Sequence, residues 1–246
     1  MNERPVVLVT GAARRLGAAI ARHLHARGCD IALHYRSQRD RAAVLVEELN
    51  AQRPGSAAAF GADLLDIAAA QSMVDAVGRH FGRLDGLVNN ASSFFPTPFA
   101  DVGEAAWQDL VGSNLKAPLF LSQRAAPLLA ASRGAIVNIV DIHADRPMPG
   151  YPVYSLAKTG LQGLTRVLAV ELAPAVRVNG VAPGAIEWPE DGQFDAGEQE
   201  RIIRQTLLGR VGAATDIAGA VAFLLLDAPY VTGQILAVDG GRSIHL

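Results

Sequence analysis

Residues 6–17 read VVLVTGAARRLG, an apolar and β-branched run that passes directly into small residues and arginines. The run predicts a buried strand, Val6–Thr10, and the following residues predict a tight turn that leads into a helix at Gly17. Small residues let the backbone approach a bound phosphate, and a helix start offers free N–H groups and a positive dipole end. The glycine spacing is not the common G-x-G-x-x-G, so the position between strand and helix carries the prediction.

Short apolar runs and longer helical patterns alternate along the rest of the chain. The predicted strands are Val6–Thr10, Asp30–His34, Ala57–Ala62, Gly86–Asn89, Ala135–Val140, Val176–Val181 and Gln234–Val238. The predicted helices are Gly17–Arg27, Arg39–Asn50, Ile67–Phe81, Glu104–Ala131, Tyr154–Leu172 and Thr215–Leu226, with Asp66 and Thr215 as N-caps. This alternation is typical of one α/β domain over residues 1–246, a Rossmann-type, doubly wound parallel sheet of about seven strands with helices on both faces.

Composition narrows the function classes. Of 246 residues, 50% are hydrophobic and 19% are charged, which favours a folded core over disorder. The formal net charge of −2 gives no basic field for nucleic acid. The histidines are scattered, so we predict no metal site, and the single cysteine, Cys29, is expected to be a packing residue in a reducing compartment. We see no signal peptide, and the run AVAFLLL is too short to span a bilayer, so we expect a cytoplasmic protein without membrane contact.

The end of the second predicted strand indicates which nucleotide would bind. A site for NAD usually carries an acid there, which grips the ribose 2′-hydroxyl. Residues 34–39 read HYRSQR and contain no acid. Arg36 and Ser37 are cationic and hydroxyl donors suited to a 2′-phosphate. Together with Arg14 in the turn after the first strand, called the phosphate turn below, they predict that the bound cofactor is NADPH. The alternative is that residues 34–39 form a solvated basic loop.

One stretch late in the sequence interrupts the alternation of strands and helices. Pro183 to about Arg204 is rich in Gly, Asp, Glu and Gln and follows a strand. Since ligands of such sheets lie at the carboxyl ends of the strands, we predict a mobile flap over a ligand, with a substrate-loop region of about 183–208. The alternative is an ordinary surface excursion.

At this point the sequence resembles the short-chain dehydrogenase/reductase family over nearly its full length. The matching pieces occur in order: TGAARRLG, Asp63, Asn89-Asn90-Ala91, Asn114, Tyr154-Ser155-Leu156-Ala157-Lys158 and Pro183-Gly184. The resemblance implies that Asp63 and Leu64 lie near adenine, Asn90 and Ala91 near the ribose, and Pro183 and Gly184 beside the nicotinamide. The residues predicted to bind the cofactor are Gly11, Arg14, Arg15, Leu16, Gly17, His34, Tyr35, Arg36, Ser37, Asp63, Leu64, Asn90, Ala91, Ser92, Tyr154, Lys158, Pro183, Gly184 and Ile186.

Within that family the chain is similar to the pteridine reductases. Arg15 stands where most members have glycine, and residues 90–98, NASSFFPTP, resemble the pteridine-reductase loop. Asp141 occupies the place of the usual catalytic serine, thirteen residues before Tyr154 (154 − 141 = 13). This likeness implies reduction of a dihydropterin or dihydrofolate, a small-molecule substrate.

The predicted catalytic residues are Asp141, Tyr154, Lys158 and Asn114. Tyr154 and Lys158 are four apart and share a helix face, so the ammonium is expected to lower the phenol pKa and make Tyr154 a proton donor. An aspartate at 141 would repel the developing oxyanion of a ketone reaction, and therefore fits protonation of a ring nitrogen. The alternative is that Asp141 caps a nearby turn.

The predicted substrate-binding residues are Arg15, Ser92, Phe94, Asp141, Tyr154 and Trp188. Phe94 would stack on a flat heterocycle, with an ordinary core position as the alternative. Tyr151 could orient Asp141 or pack as an aromatic.

Two other functions remain open: an NADPH-dependent carbonyl reductase of the same fold, and a non-catalytic NADP-binding regulatory or scaffold protein. Asp141 argues against the first, and the intact Tyr154, Lys158 and Asn114 set argues against the second. The family resemblance also implies a homotetramer and a C-terminal tail, residues 239–246, that reaches a neighbour's site.

Overall fold

The computed structural model of the chain describes residues 4–188 and 194–245. Its centre is a seven-stranded sheet in the order β3-β2-β1-β4-β5-β6-β7, and every strand pair is parallel. The strands are β1 Val6–Val9, β2 Asp30–Tyr35, β3 Ala57–Gly61, β4 Gly86–Asn89, β5 Ala135–Ile139, β6 Arg177–Pro183 and β7 Ile235–Val238. The predicted doubly wound fold is confirmed, and each predicted strand lies within two residues of its observed bounds at either end.

Helices cover both faces of this sheet. They are α1 Arg15–Ala26, α2 Arg39–Gln52, α3 Ile67–Phe81, α4 Glu104–Val111, α5 Ala117–Ser132, α6 Pro152–Glu171, α7 Ala196–Arg204, α8 Ala214–Ala222 and α9 Arg242–His245. Alternate side chains of a strand point to opposite faces, so Val7 and Val9 of β1 join the core under α1, α2 and α8. Val6 and Leu8 join the core under α3, α5 and α6. This two-sided burial explains why the strands are continuous apolar runs.

The single long helix predicted over Glu104–Ala131 is wrong in detail. A π-helical segment, Gly112–Lys116, separates α4 from α5. At Gly112 a Cβ would lie 2.6 Å from the Leu65 side chain, so the chain passes closely over the loop after β3. The Asn114 amide also donates to the Leu110 carbonyl, at 2.9 Å. Local periodicity does not reveal such an interruption because it depends on these contacts.

Helix caps were predicted with mixed success. Asp66 caps α3 by accepting from the Ala69 amide at 3.1 Å, as expected. Thr215 is not an N-cap, because α8 begins earlier and Ala213 is its cap. At this end of the helix the Asp216 carboxylate accepts from the Ala213 amide at 2.9 Å.

Two smaller features bear on the composition-based expectations. Among the described residues, the structure contains no helix with the length and apolar character needed to cross a bilayer. Cys29 lies in the core at 1% exposure, and burial raises the pKa of its thiol to about 11, which confirms a packing residue rather than a nucleophile.

Candidate active site

One cavity of about 1000 Å³ opens at the carboxyl edge of the sheet. Every residue predicted to bind cofactor or substrate lines it, from the phosphate turn to Ile186 and Trp188. The carboxyl ends of parallel strands lie at the same edge of the sheet. This explains how motifs that are spread along the sequence from Gly11 to Trp188 meet in one cavity. Of the predicted site residues, only Asn114 is not on the cavity wall.

The turn after β1 has a shape that can accommodate a phosphate. Gly11 has a φ of +62°, the left-handed region that favours glycine. A Cβ at Gly17 would lie 2.2 Å from the Gly11 carbonyl oxygen and 2.7 Å from the Asn90 amide, so no side chain fits there. Asn90 fixes the turn further, because its side-chain amide donates to the Thr10 carbonyl at 2.8 Å. Gly11 and the first residues of α1, Arg15, Leu16 and Gly17, line the cavity.

Arg15 occupies this turn with a φ of +48°, a conformation that costs a non-glycine residue on the order of 1 kcal/mol. Its side chain lines the cavity, as does that of Arg14. Strain that a fold retains at a ligand site is a reason to assign the side chain a role. The sequence alone does not reveal this strain, although it does show an arginine where the family favours glycine.

His34 lines the cavity, but its ring nitrogens are already bound to backbone. The Gly11 amide donates to Nδ1 at 3.0 Å, so Nε2 carries the proton and donates to the Ala62 carbonyl at 3.1 Å. Burial lowers the pKa of this imidazole, which keeps it neutral. His34 therefore positions the phosphate turn and offers no free ring N–H to a nucleotide, and its contact with the cofactor stays a prediction.

The end of β2 presents donors and no acid. Tyr35, Arg36 and Ser37 all line the cavity, and Arg36 is exposed and forms no ion pair with the described residues. Asp63, at the end of β3, also lies on this wall, where its carboxylate accepts from the Leu65 amide at 3.0 Å. The wall beyond the turn can thus hold an adenosine with an anionic 2′ substituent.

At the centre of the cavity, the Tyr154 hydroxyl donates to Asp141 Oδ2 at 2.7 Å. The other carboxylate oxygen accepts from the His143 amide at 2.8 Å, so Asp141 also caps the short 3-10 turn that starts at Ile142. Asp141 therefore caps a turn and contacts Tyr154 at the same time. One carboxylate oxygen accepts from a backbone amide and the other accepts from the phenol.

The pKa of Tyr154 departs from the sequence-based expectation. Burial and then the Asp141 charge and hydrogen bond raise it well above its ordinary value, whereas we expected Lys158 to lower it. Lys158 lies 5.7 Å from the centre of the phenol ring, and its ammonium donates to the Ile139 carbonyl at 2.8 Å. Burial lowers the pKa of Lys158 to about 8. Tyr154 is consequently held in its protonated form at neutral pH, as a proton donor must be.

Asn114 stands behind the cavity wall. It is 1% exposed, its Oδ1 accepts from the Ser92 hydroxyl at 2.7 Å and its amide donates to the Ser93 carbonyl at 3.0 Å. These bonds fix the loop after β4, which carries Ser92 and Phe94 into the cavity. Asn114 contacts neither Tyr154 nor Lys158 through a side-chain hydrogen bond, so its observed part is to position the loop.

Phe94 belongs to an aromatic cluster at the substrate end. Its ring stacks on Tyr151, with centroids 4.8 Å apart and planes at 9°, and meets Tyr154 edge-on at 4.8 Å. At most one face of Phe94 is therefore available to a flat ligand. Tyr151 packs against an aromatic ring, which is one of the two roles predicted for it. On another wall Trp188 lies 6.1 Å from Phe194.

The predicted substrate loop contains more structure than expected. Asp195 starts α7 with a capping box, accepting from the Glu198 amide at 2.9 Å, so the stretch is not irregular throughout. Residues 189–193 lie outside the described residues, and closure of the loop stays a prediction.

Several lining residues were not predicted. They are Arg201, Ile202 and Gln205 at the end of α7, Arg242 at the start of α9, and His143, Arg146 and Met148 after β5. The doublet Gly240-Gly241 before Arg242 was a usable signal, because it marks a turn after the last strand. The tail thus contributes to the cavity of its own chain, and a reach into a neighbour's site stays a prediction.

Comparisons with known proteins agree with this architecture. The family model described as enoyl-(acyl carrier protein) reductase matches residues 11–243. Pteridine reductase 1 of Leishmania tarentolae is 42% identical, covering 98% of this chain and 96% of its own. A putative ketoacyl reductase of granaticin polyketide synthase from Streptomyces violaceoruber is 38% identical, covering 98% and 97%. The 3-oxoacyl-[acyl-carrier-protein] reductase FabG of Staphylococcus aureus is 37% identical, covering 95% and 96%.

Proposed function

Because the chain belongs to the short-chain dehydrogenase/reductase family, we propose that this oxidoreductase reduces dihydropterins or dihydrofolate with NADPH. The observation that carries the proposal is the 2.7 Å hydrogen bond from Tyr154 to Asp141 inside the cavity. A ketone reductase needs donors around a developing oxyanion, and a carboxylate there would oppose that charge. A ring nitrogen that gains a proton carries no such negative charge.

The reaction adds one hydride and one proton across a C=N bond of the pterin ring. Arg36, Ser37 and the turn after β1 would hold NADPH, whose oxidation to NADP+ would supply the hydride for the ring carbon. The Asp141–Tyr154 pair supplies the proton to the ring nitrogen, since the raised pKa of Tyr154 keeps its hydroxyl protonated. Lys158 is fixed by the Ile139 carbonyl next to the phenol, where its charge favours the tyrosinate left behind.

The relatives support a second candidate, reduction of a ketoacyl group, because two of them are named as ketoacyl or oxoacyl reductases. A spectrophotometric panel separates the two candidates. We expect NADPH oxidation with 7,8-dihydrobiopterin or 7,8-dihydrofolate and none above background with simple ketones or β-keto esters. Turnover of a keto substrate together with inertness towards both dihydropterins would replace the pterin assignment by the second candidate.

The choice of NADPH rests on Arg36 and Ser37, which line the cavity beyond the phosphate turn. Arg36→Asp is expected to raise the KM for NADPH by about tenfold or more and to favour NADH, because the acid repels a 2′-phosphate and accepts from a 2′-hydroxyl. Arg39→Asp is the matched control, since Arg39 is exposed and not on the cavity wall. An unaltered KM ratio in Arg36→Asp would remove Arg36 from the cofactor site.

A further inference from the structure

Arg242 is a buried cation that forms no ion pair with the described residues. Its side chain is on the cavity wall, it is 8% exposed, and its Nε is buried without a hydrogen-bond partner. Among the described residues, no carboxylate forms an ion pair with its guanidinium. Buried charges in folded proteins are paired as a rule, so an unpaired one that faces a cavity indicates a ligand.

The fold holds Arg242 in this position through a rigid turn. Gly240 and Gly241 have φ values of +64° and +82°, which other residues rarely adopt. Asp239 braces the turn, because its carboxylate accepts from the Gly241 amide at 2.9 Å and from the Ser243 amide at 2.7 Å. The Leu208 amide donates to the Gly240 carbonyl at 3.0 Å and ties the turn to the segment after α7. The backbone that carries Arg242 is therefore fixed before a ligand binds.

The end of α7 supplies a second set of donors beside this turn. Arg201 and Gln205 are four residues apart, which places them on one face, and both line the cavity. Arg201 is exposed and forms no ion pair among the described residues, so its guanidinium is available to an anion. The negative charges of Asp141 and Asp239 act on the Arg242 guanidinium through space, but both carboxylates are already hydrogen-bonded elsewhere. Asp141 accepts from Tyr154 and the His143 amide, and Asp239 accepts from the Gly241 and Ser243 amides.

We propose that Arg242 and Arg201 form an anion subsite that binds a carboxylate or phosphate on the side chain of the substrate. Two planar guanidinium groups can each give paired hydrogen bonds to such an anion. The subsite rests on the proposed function for the ring that it accompanies. It assigns the enzyme to dihydropterins with an anionic side chain, such as dihydrofolate, in preference to those with a neutral side chain.

Kinetics with two substrates test the subsite. In Arg242→Gln, the KM for 7,8-dihydrofolate is expected to rise about tenfold or more, because charge-assisted hydrogen bonds are lost, while the KM for the uncharged 7,8-dihydrobiopterin is unchanged. Arg242→Lys should recover part of the loss. Arg204→Gln is the control, because Arg204 lies on the same helix, pairs with Glu200 and is 69% exposed. Equal changes for both substrates, or none, would refute the subsite.

A binding measurement makes the test independent of turnover. Titration calorimetry with the enzyme–NADP+ complex should detect p-aminobenzoylglutamate, which carries the carboxylates without the pterin, or inorganic phosphate. Binding of one probe and not the other identifies the anion as a carboxylate or a phosphate. Arg242→Gln and Arg201→Gln should each weaken the binding of that probe about tenfold. If neither probe binds the wild-type complex, the subsite is wrong even where dihydrobiopterin is reduced. Failure of every dihydropterin to react, with a probe bound, refutes the proposed function alone.

Discussion

Tyr154→Phe is expected to lower kcat for dihydropterin reduction by roughly 100-fold or more, the range that a positioned general acid contributes. The substitution removes the hydroxyl that donates to Asp141 at 2.7 Å and keeps the ring that packs edge-on against Phe94. NADPH affinity should change little, because the phosphate turn and the Arg36 wall are untouched. Steady-state rates and NADPH fluorescence titration measure the two quantities separately.

The control for this variant is Tyr230→Phe, which removes a phenol that is fully exposed and is not on the cavity wall. Its kcat should equal that of the wild type. A thermal unfolding curve for Tyr154→Phe checks that loss of the hydrogen bond to Asp141 does not unfold the protein. Wild-type kcat in a folded Tyr154→Phe would show that the proton comes from another group.

The sequence was sufficient to predict the fold because the decisive signals are local. Apolar runs such as Val6–Val9 and turn residues such as Gly11 are set by burial on both faces and by φ, and each shows in a few neighbouring letters. The site residues could be predicted because each lies at the end of a strand or on the helix that follows it. Topology then brings these positions to one edge of the sheet.

What could not be predicted depends on contacts between distant segments. The His34 ring is occupied by Gly11 and Ala62, which only the packed sheet reveals. The pKa of Tyr154 was expected to fall, because spacing shows the nearby Lys158 but does not show that burial dominates. Arg242 was overlooked because the Gly240-Gly241 doublet marks a turn but does not show that the side chain after it lines the cavity.

The Asp141 carboxylate has two contacts, and Asp141→Asn separates their contributions. Asparagine keeps an oxygen that can accept from the His143 amide and removes the negative charge beside Tyr154. If the residue only capped the turn, this variant would behave like the wild type. We expect instead that kcat with dihydropterins falls by roughly 100-fold, because the proton-supplying pair is broken.

The pH dependence of Asp141→Asn gives a second readout whose direction is fixed by charge. In the wild type, burial and the carboxylate both raise the pKa of Tyr154. Removing the carboxylate removes one of these causes, so the pKa falls and the phenol is lost as a donor at lower pH. The Asp141 charge also raises the pKa of Lys158, which is about 8 and is therefore met before that of Tyr154 as the pH rises. Both effects move the alkaline limb of the residual kcat–pH profile to lower pH in Asp141→Asn, and a limb that stays in place would show that Asp141 acts on neither group.

Asp141→Ser extends the same reasoning to substrate choice. A serine hydroxyl can donate to an oxyanion, whereas the carboxylate repels one, so the variant should gain turnover of a β-keto ester while losing dihydropterin turnover. The ratio of the two kcat/KM values measures this exchange and is insensitive to the fraction of folded enzyme. Without a gain on the keto substrate, the identity of residue 141 would not be what separates this chain from its ketoacyl-reducing relatives, and the difference would have to lie in the loop that carries Phe94.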